Sequence, residues 1–400
     1  MNKPNETLII LVLGAMVAVA PLSIDMYLPG FPAIAADLHT SMARVGLTLT
    51  SYFVGVSLGQ LFYGPILDRL GRKGPLLFGL ALFALAALGC AFAPDIETLI
   101  GLRFLLALGA CAGMVAGRAV VRDVFPVSET ARVFSLLMLV IGVAPILAPT
   151  LGGVMVDSLG WRSIFYFLAA FGSLMFASVY FFLPESQDPD TSVSLHPVRV
   201  LRKYGEVLRE PGFLAYSLAS GMLMGGMFAY ISGSPFVFME LYGFSERTYG
   251  WIFGANALGL VIGSQLNRLW LRHASSETIT GVSAGLMTLL AVALVLMQLA
   301  GLLVPGATLA LVFLYLFGLG FANPNATALA IRPFQRSAGS ASAMMGFLQM
   351  LCGALSSALI SVLHDGSDLP MLGTLAIFAL LSLACLYAVR RTARQRVAQV

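Results

Sequence analysis

Twelve apolar runs, each about 20 residues long, follow one another along the chain. Wound as a helix, a run of that length matches the thickness of bilayer hydrocarbon. The runs cover approximately residues 8–28, 43–63, 75–93, 98–117, 133–156, 163–183, 212–234, 248–270, 278–300, 306–330, 341–362 and 370–389. In hydrocarbon each segment must satisfy its own backbone, which a helix does, whereas barrel strands would be shorter and alternating. Composition agrees: the chain is 58% hydrophobic and 10% charged, and a soluble fold of 400 residues has nowhere to hide that much apolar surface. The expected fold class is all-α polytopic membrane protein with 12 transmembrane helices. The opening run, "LIILVLGAMVAVA" from Leu8, reads as a retained span: Pro21 directly follows the Ala18-Val19-Ala20 triplet, and Lys3 is the only early positive charge.

Outside the spans, Lys and Arg concentrate at the termini and in the loops that follow even-numbered spans. Only Arg44, Arg162 and Arg247 fall in the opposite loops. The positive-inside rule then predicts that both termini are cytoplasmic, which demands an even number of spans. The longest polar stretch, "PESQDPDTSVSLHPVRVLRKYGEVLREPG" from Pro184, separates spans six and seven. It suggests an N-terminal six-helix bundle over 1–184, a cytoplasmic linker over 185–211 and a C-terminal six-helix bundle over 212–400. A faint repeat, Gly59 and Gly263 late in the second span of each half, points to two related bundles, the plan of alternating-access transporters.

Only Asp25 and Arg103 are ionisable side chains clearly inside spans. A charge placed there is costly, so such groups usually face a cavity and act in it. Hydrocarbon disfavours an ionised carboxylate and a nearby guanidinium favours it, so a pair that separated as the bundles rock would bind and release a proton in turn. Pro21 and Pro29 flank Asp25 and would open the helix locally, turning the carboxylate toward a cavity. "GACAGMVAG" places Gly109, Gly113 and Gly117 on one side of span four, a tight packing face.

The loop "GPILDRLGRK", Gly64 to Lys73, resembles the G-x-L-a-D-r-x-G-r-k/r motif of the major facilitator superfamily. Gly64 would let a helix end pack closely, Gly71 would turn the chain, and Asp68 could face the positive N-terminal end of a neighbouring helix. The resemblance makes that neighbour span eleven, starting with "GSASA" at Gly339, and makes Gly64, Asp68, Arg69, Gly71 and Arg72 a conformational latch. In span five, "GVAPILAPTLGG" is similar to the superfamily's antiporter motif, with Pro145, Pro149, Gly152 and Gly153 in place and Ala148 where the motif has glycine. "IDMYLPGFP" and "RAVVRDVF" resemble the Bcr/CflA drug-resistance branch of the drug:proton antiporters, a likeness that covers the chain end to end. The resemblance implies that Asp25 is the protonation and coupling site and that Arg103 assists it. The arginine belongs to an R-x-x-Q-G motif whose glutamine is replaced here by Leu106.

Side chains expected to line a substrate cavity are Tyr27, Tyr52, Gln60, Phe228, Tyr230, Phe236, Asn256, Phe321, Asn323, Asn325, Met345 and Gln349. Many aromatics with sparse charge suit amphipathic neutral or singly cationic compounds better than sugars, which need dense hydrogen bonding. "FANPNATALA" is expected to break span ten where its amides could meet a ligand.

The chain shows no Ser-His-Asp arrangement, no phosphate loop, and no metal spacing among Cys90, Cys111, Cys352 and Cys385 or the histidines. Catalysis, ATP hydrolysis, a bound cofactor and nucleic-acid binding are therefore not expected; a proton gradient would supply the energy. The leading expectation is a monomeric proton-coupled multidrug exporter of the bacterial inner membrane. An exporter of one native metabolite or siderophore, and a membrane receptor or assembly factor on the same scaffold, are the alternatives.

Overall fold

The computed structural model describes residues 6–334 and 338–397. Lys3, and Arg336 of the basic loop that follows the tenth run, lie outside them. In the first half the chain forms α1 (Glu6–Asp25), α2 (Phe31–Asp37), α3 (Met42–Leu70), α4 (Lys73–Ala91), α5 (Ile96–Val124), α6 (Val127–Leu159) and α7 (Arg162–Phe182). There follow α8 (Pro197–Leu208), α9 (Pro211–Pro235), α10 (Glu246–Trp270), α11 (Ser276–Leu299), α12 (Pro305–Ile331), α13 (Ala338–Val362) and α14 (Leu369–Val397). No strand occurs among the described residues.

Local chemistry starts several of these helices. The side chains of Ser41, Asp95 and Ser275 each accept the amide hydrogen three residues on, from Arg44, Thr98 and Thr278, and so cap α3, α5 and α11. The first span is longer than its hydropathy suggested. A short 3-10 turn at Leu28–Gly30 joins α1 to α2, and the two together run from Glu6 to Asp37. Pro21 sits inside α1, while Pro29 and Pro32 stand in the first turn of the next segments, where a missing amide hydrogen costs nothing.

Among the described residues, eleven helical segments are long and apolar enough to cross a membrane. The remaining expected span is α10, whose 25 residues would reach about 37 Å but include Asn256, Gln265 and Asn267 as well as terminal charges. The polar linker contains one surprise, the helix α8.

The chain divides into two units. One comprises Met1–Leu201 with Glu246–Trp251; the other comprises Arg202–Ser245 with Ile252–Val400. In the first, α5 packs on α3, α4 and α1, α4 packs on α7, and α1 packs on α6 and α7. In the second, α9 packs on α12, α13 and α14, and α11 packs on α12 and α14. Counting spans within each half, α1·α6 corresponds to α9·α13, α1·α5 to α9·α12, and α4·α7 to α11·α14. The repeat is thus plain in the packing although it is faint in the residues. It extends to the two glycines: a Cβ on Gly59 would meet Cys111 of α5 at 2.8 Å, and one on Gly263 would strike the backbone oxygen of Phe317 in α12.

Lipid tails give helices no hydrophobic reason to associate, so close backbone approach matters more here than in water. A Cβ on Gly109 would come within 2.5 Å of the Phe83 amide nitrogen and 2.6 Å of the Gly79 oxygen, both backbone atoms of α4. Gly113 and Gly117 face α1 more loosely, at 3.3 Å from the Met16 oxygen and the Val17 side chain. Gly109→Ala is expected to cost roughly 1–3 kcal/mol of overpacking, offset only in part by helix propensity. Gly117→Ala gains the same propensity without the collision. Thermal unfolding in detergent should show the first variant well below the second; equal midpoints would refute the packing argument.

In the second unit, Asp368 precedes α14 and is 2% exposed. One carboxylate oxygen accepts from the Tyr242 hydroxyl at 3.2 Å, and that hydroxyl also pairs with Thr308 at 3.0 Å; the other oxygen has no partner. Burial pushes this carboxyl's pKa up, against the opposing Tyr242 hydrogen bond. The folded state therefore binds the proton more tightly than the unfolded one. The resulting stability is complete below the unfolded pKa and is lost as pH rises through the folded value. Between about pH 4 and neutrality, wild type should lose more thermal stability than Asp368→Asn, with other groups titrating alike in both.

Candidate functional site

The backbone hydrogen bonds of α1 end with Met26 N donating to Leu22 O at 3.2 Å, because Met26 and Tyr27 turn away from the helix. The next carbonyl, that of Ser23, is left without its helical donor. Arg103 of α5 fills the vacancy: its Nη1 donates to Ser23 O at 2.9 Å. A guanidinium at the negative end of a helix dipole is favourably placed. The side chain is fully buried, and aromatic faces supply the rest of its surroundings. Its central carbon lies 4.4 Å from the ring of Tyr27, 4.7 Å from Tyr52 and 6.0 Å from Phe165. Nε and Nη2 have no hydrogen-bond partner. Tyr27 is itself fixed by its hydroxyl, 2.9 Å from that of Thr48, and by edge contact with Phe31.

Asp25 terminates α1 two residues past Ser23 and is 4% exposed. It forms no hydrogen bond or ion pair with any described residue. No ionic contact joins it to Arg103, because the helix-end carbonyl and the tyrosine rings already hold the guanidinium. Tyr27 and Tyr52 likewise form Arg103's cage and are fully buried, where the sequence suggested cavity-lining positions. Gln60 is buried in the same unit. Phe165 was missed, since nothing distinguishes it among the aromatics of α7.

The antiporter-like segment reaches this region directly. A Cβ on Gly152 would land on the carbonyl oxygen of Met26, the residue after Asp25, and lie 2.9 Å from its Cα. The α6 backbone is therefore pressed against the broken end of α1. Gly153 stands against Glu246, whose oxygen a Cβ would meet at 2.8 Å. Pro145 and Pro149 are accommodated within a continuous α6.

In the loop motif, Gly71 takes φ +84°, as a turning glycine should. Gly64 departs from expectation: it lies within α3, six residues before the helix ends at Leu70, and a Cβ there would meet nothing within 4 Å. The centre of the motif is Arg72. It pairs with Asp68 at 2.7 Å and Asp123 at 2.8 Å, donates to Gln187, and its backbone amide donates to Glu185 at 2.7 Å. Arg69 donates to Val193 O at 2.7 Å. Glu185 and Gln187 were not anticipated, although acids in "PESQ" shortly after a span are a natural match for a basic loop.

In the second unit, Ser220 of α9 donates to Asn323 Oδ1 of α12 at 2.7 Å and accepts from Gln349 Nε2 of α13 at 2.8 Å. Asn323 and Gln349 thus meet through a serine that resembled any small packing residue. Asn256 donates to the Tyr230 hydroxyl at 3.0 Å, and Tyr230 stacks on Phe253. Asn325 turns instead to Asn267 at 2.7 Å and to Phe321 O at 2.8 Å. The expected break of span ten does not occur, because α12 runs through Pro324 to Ile331. Membrane helices tolerate proline where neighbouring groups answer the freed backbone. Phe228 packs on Gly353, Phe321 on Phe317, and Met345 is buried. Phe236 meets His364 of the α13–α14 loop, which places it at the end of the unit and away from the other candidates. No group of three or more metal-ligating side chains occurs among the described residues.

The sequence model for the Major Facilitator Superfamily matches residues 13–357. An uncharacterized MFS-type transporter of Bacillus subtilis, YdgK, is 37% identical over 383 residues, covering 92% of this chain and 94% of the relative. A bicyclomycin resistance protein homolog of Haemophilus influenzae is 30% identical over 394 residues, covering 97% of each chain. Among solved structures, a bacterial homolog of the human lysosomal transporter Spinster, inward-facing and occupied, superposes with a TM-score of 0.75 at 15% identity. It covers 98% of both chains and speaks for the fold alone. Relatives that align almost end to end, on a scaffold whose packing repeats between its halves, leave no room for an enzyme: this multi-pass membrane transporter belongs to the major facilitator superfamily, in its Bcr/CflA drug-efflux branch.

Proposed function

We propose that the protein is a drug/proton antiporter of the bacterial inner membrane, exporting amphipathic neutral or cationic compounds by alternating access, with both termini in the cytoplasm. It works as a monomer without a cofactor. Asp25 carries the proton. The observation that supports this most is a buried, unpartnered carboxylate at a break in the first span, with the Arg103 guanidinium held by the Ser23 carbonyl instead. With no fixed counter-ion, its ionisation state depends on what the surroundings become, namely bound drug, water or a displaced Arg103. Relatives named for bicyclomycin and chloramphenicol resistance favour drugs as the cargo.

In this mechanism, α6 is the lever. Its tight contact at Gly152 couples any tilt of α6 to Met26 and so to the exposure of Asp25. The Asp68–Arg72–Asp123 cluster stiffens one end of the same unit and acts as the latch. Asn323, Gln349 and Ser220 form a polar subsite for substrate.

Reconstituted protein should move drug uphill when a pH gradient is imposed, and a protonophore should collapse that movement. Purified protein should release protons on drug addition. Indifference to the gradient would refute antiport. Competition between chemically unrelated drugs distinguishes a multidrug exporter from one devoted to a single metabolite.

A further inference from the structure

The helix α8 is not a span, yet it carries bare apolar side chains. Val198 is 66% exposed and Leu201 65% exposed, although the neighbouring spans end at Phe182 and resume only at Pro211. The stripe that adjoins Leu201 is covered: Tyr204 and Val207 are buried. At 100° per residue, Val198 and Leu201 lie on one arc. Next around the helix from Val198 stand Arg202 and then Arg199, both exposed, with Lys203 farther round and Arg209 just past the helix end. The only acid on the helix is Glu206, paired with Arg202 at 3.6 Å across one turn. Basic side chains bordering an exposed apolar strip are the pattern of a helix lying in a lipid interface.

Position makes the same point. Two residues, Arg209 and Glu210, separate α8 from the first residue of the membrane-spanning α9. Three peptide steps reach at most about 11 Å, so this end of α8 stays close to the level where α9 enters the bilayer. Before the other end, Val193 accepts from Arg69, and the Asp190 amide donates to Asp68 O at 3.2 Å. Both acceptors and donors of that tie belong to the last turn of α3 or to the linker. The segment leading into α8 is therefore held at the level where a second span ends. A helix tethered on both sides at the membrane surface lies within a screening length of the headgroups.

We propose that α8 binds the anionic phospholipid headgroups of the adjoining leaflet, with Leu201 and Val198 seated among the upper acyl carbons and Arg202 and Arg199, which follow Val198 around the helix, on the phosphates. The charge complementarity selects anionic over zwitterionic lipid.

The test uses the whole protein in nanodiscs. Leu201→Cys is spin-labelled in a Cys385→Ala background, the other cysteines being buried. The ratio of collisions with oxygen to collisions with a water-soluble nickel chelate reports depth. With phosphatidylglycerol present the ratio should be several-fold higher than in pure phosphatidylcholine. High salt, or the double change Arg199→Glu with Arg202→Glu, should abolish the difference. A label equally water-exposed in both lipids overturns the proposal. So does a label equally protected in both, which would mean that α8 is covered by protein or inserts without reading charge.

Discussion

Asp25→Asn is expected to abolish drug accumulation driven by a pH gradient while leaving the protein folded. Asparagine has the size of the protonated acid and no charge. Asp25 has no ion pair or hydrogen bond to lose among the described residues, so nothing in the folded unit is left unsatisfied by the change. What vanishes is the ability to release a proton. With one proton exchanged per drug, a gradient of one pH unit stores about 1.4 kcal/mol and sustains roughly a tenfold drug ratio across the membrane. The variant should sustain a ratio near one. It should still bind drug and exchange labelled drug for unlabelled, because those steps need rocking alone. Drug-triggered proton release in detergent should be absent. Wild-type accumulation by Asp25→Asn, in vesicles where a protonophore still stops it, would move the coupling site elsewhere.

The twelve-helix plan was readable because each span is a long statistical feature that no single residue decides. Reading failed where the deciding physics is local. The 12-residue α8 is amphipathic, so a search for apolar length passes over it. The prolines near Asp25 looked like the end of the first span, but Pro29 and Pro32 begin new turns and carry it on to Asp37. Gly64 looked like a packing glycine because of its motif; its surroundings turn out to be open, whereas Gly109 and Gly152 carry the close approaches.

Asp25 and Arg103 stood out for the same reason that makes them costly, a charge within an apolar run. Their relation to each other was not legible. It depends on where the α1 hydrogen-bond ladder stops and on three rings, from α3, α7 and the turn after α1, that converge on one guanidinium. Arg72's partners illustrate the same limit, since Asp123 and Glu185 are far from it in sequence and close only after folding. Residue type identifies chemistry that is unusual for its setting; the partner that tunes it is set by tertiary structure.

That dependence makes Gly152 the sharper probe of the mechanism. Any Cβ there strikes the Met26 carbonyl oxygen, a backbone atom that cannot swing aside as a side chain could. Gly152→Ala must therefore separate α6 from the end of α1 or drag Met26 along, at a cost of roughly 1–3 kcal/mol. Gly101→Ala on α5 is the control: nothing lies within 4 Å of its Cβ, and the helix gains up to about 1 kcal/mol of propensity. Gly101→Ala should match or exceed wild-type thermal stability and transport normally. Gly152→Ala should unfold earlier and, at temperatures where it is still folded, should lose most gradient-driven efflux. The second effect carries the inference, since lost stability alone would leave the folded fraction fully active. Because a shifted Met26 moves its neighbour Asp25, the midpoint of drug-triggered proton release should move as well. Normal efflux per folded molecule, with an unshifted midpoint, would show that the α6–α1 contact is packing alone and that Asp25 is gated by another element.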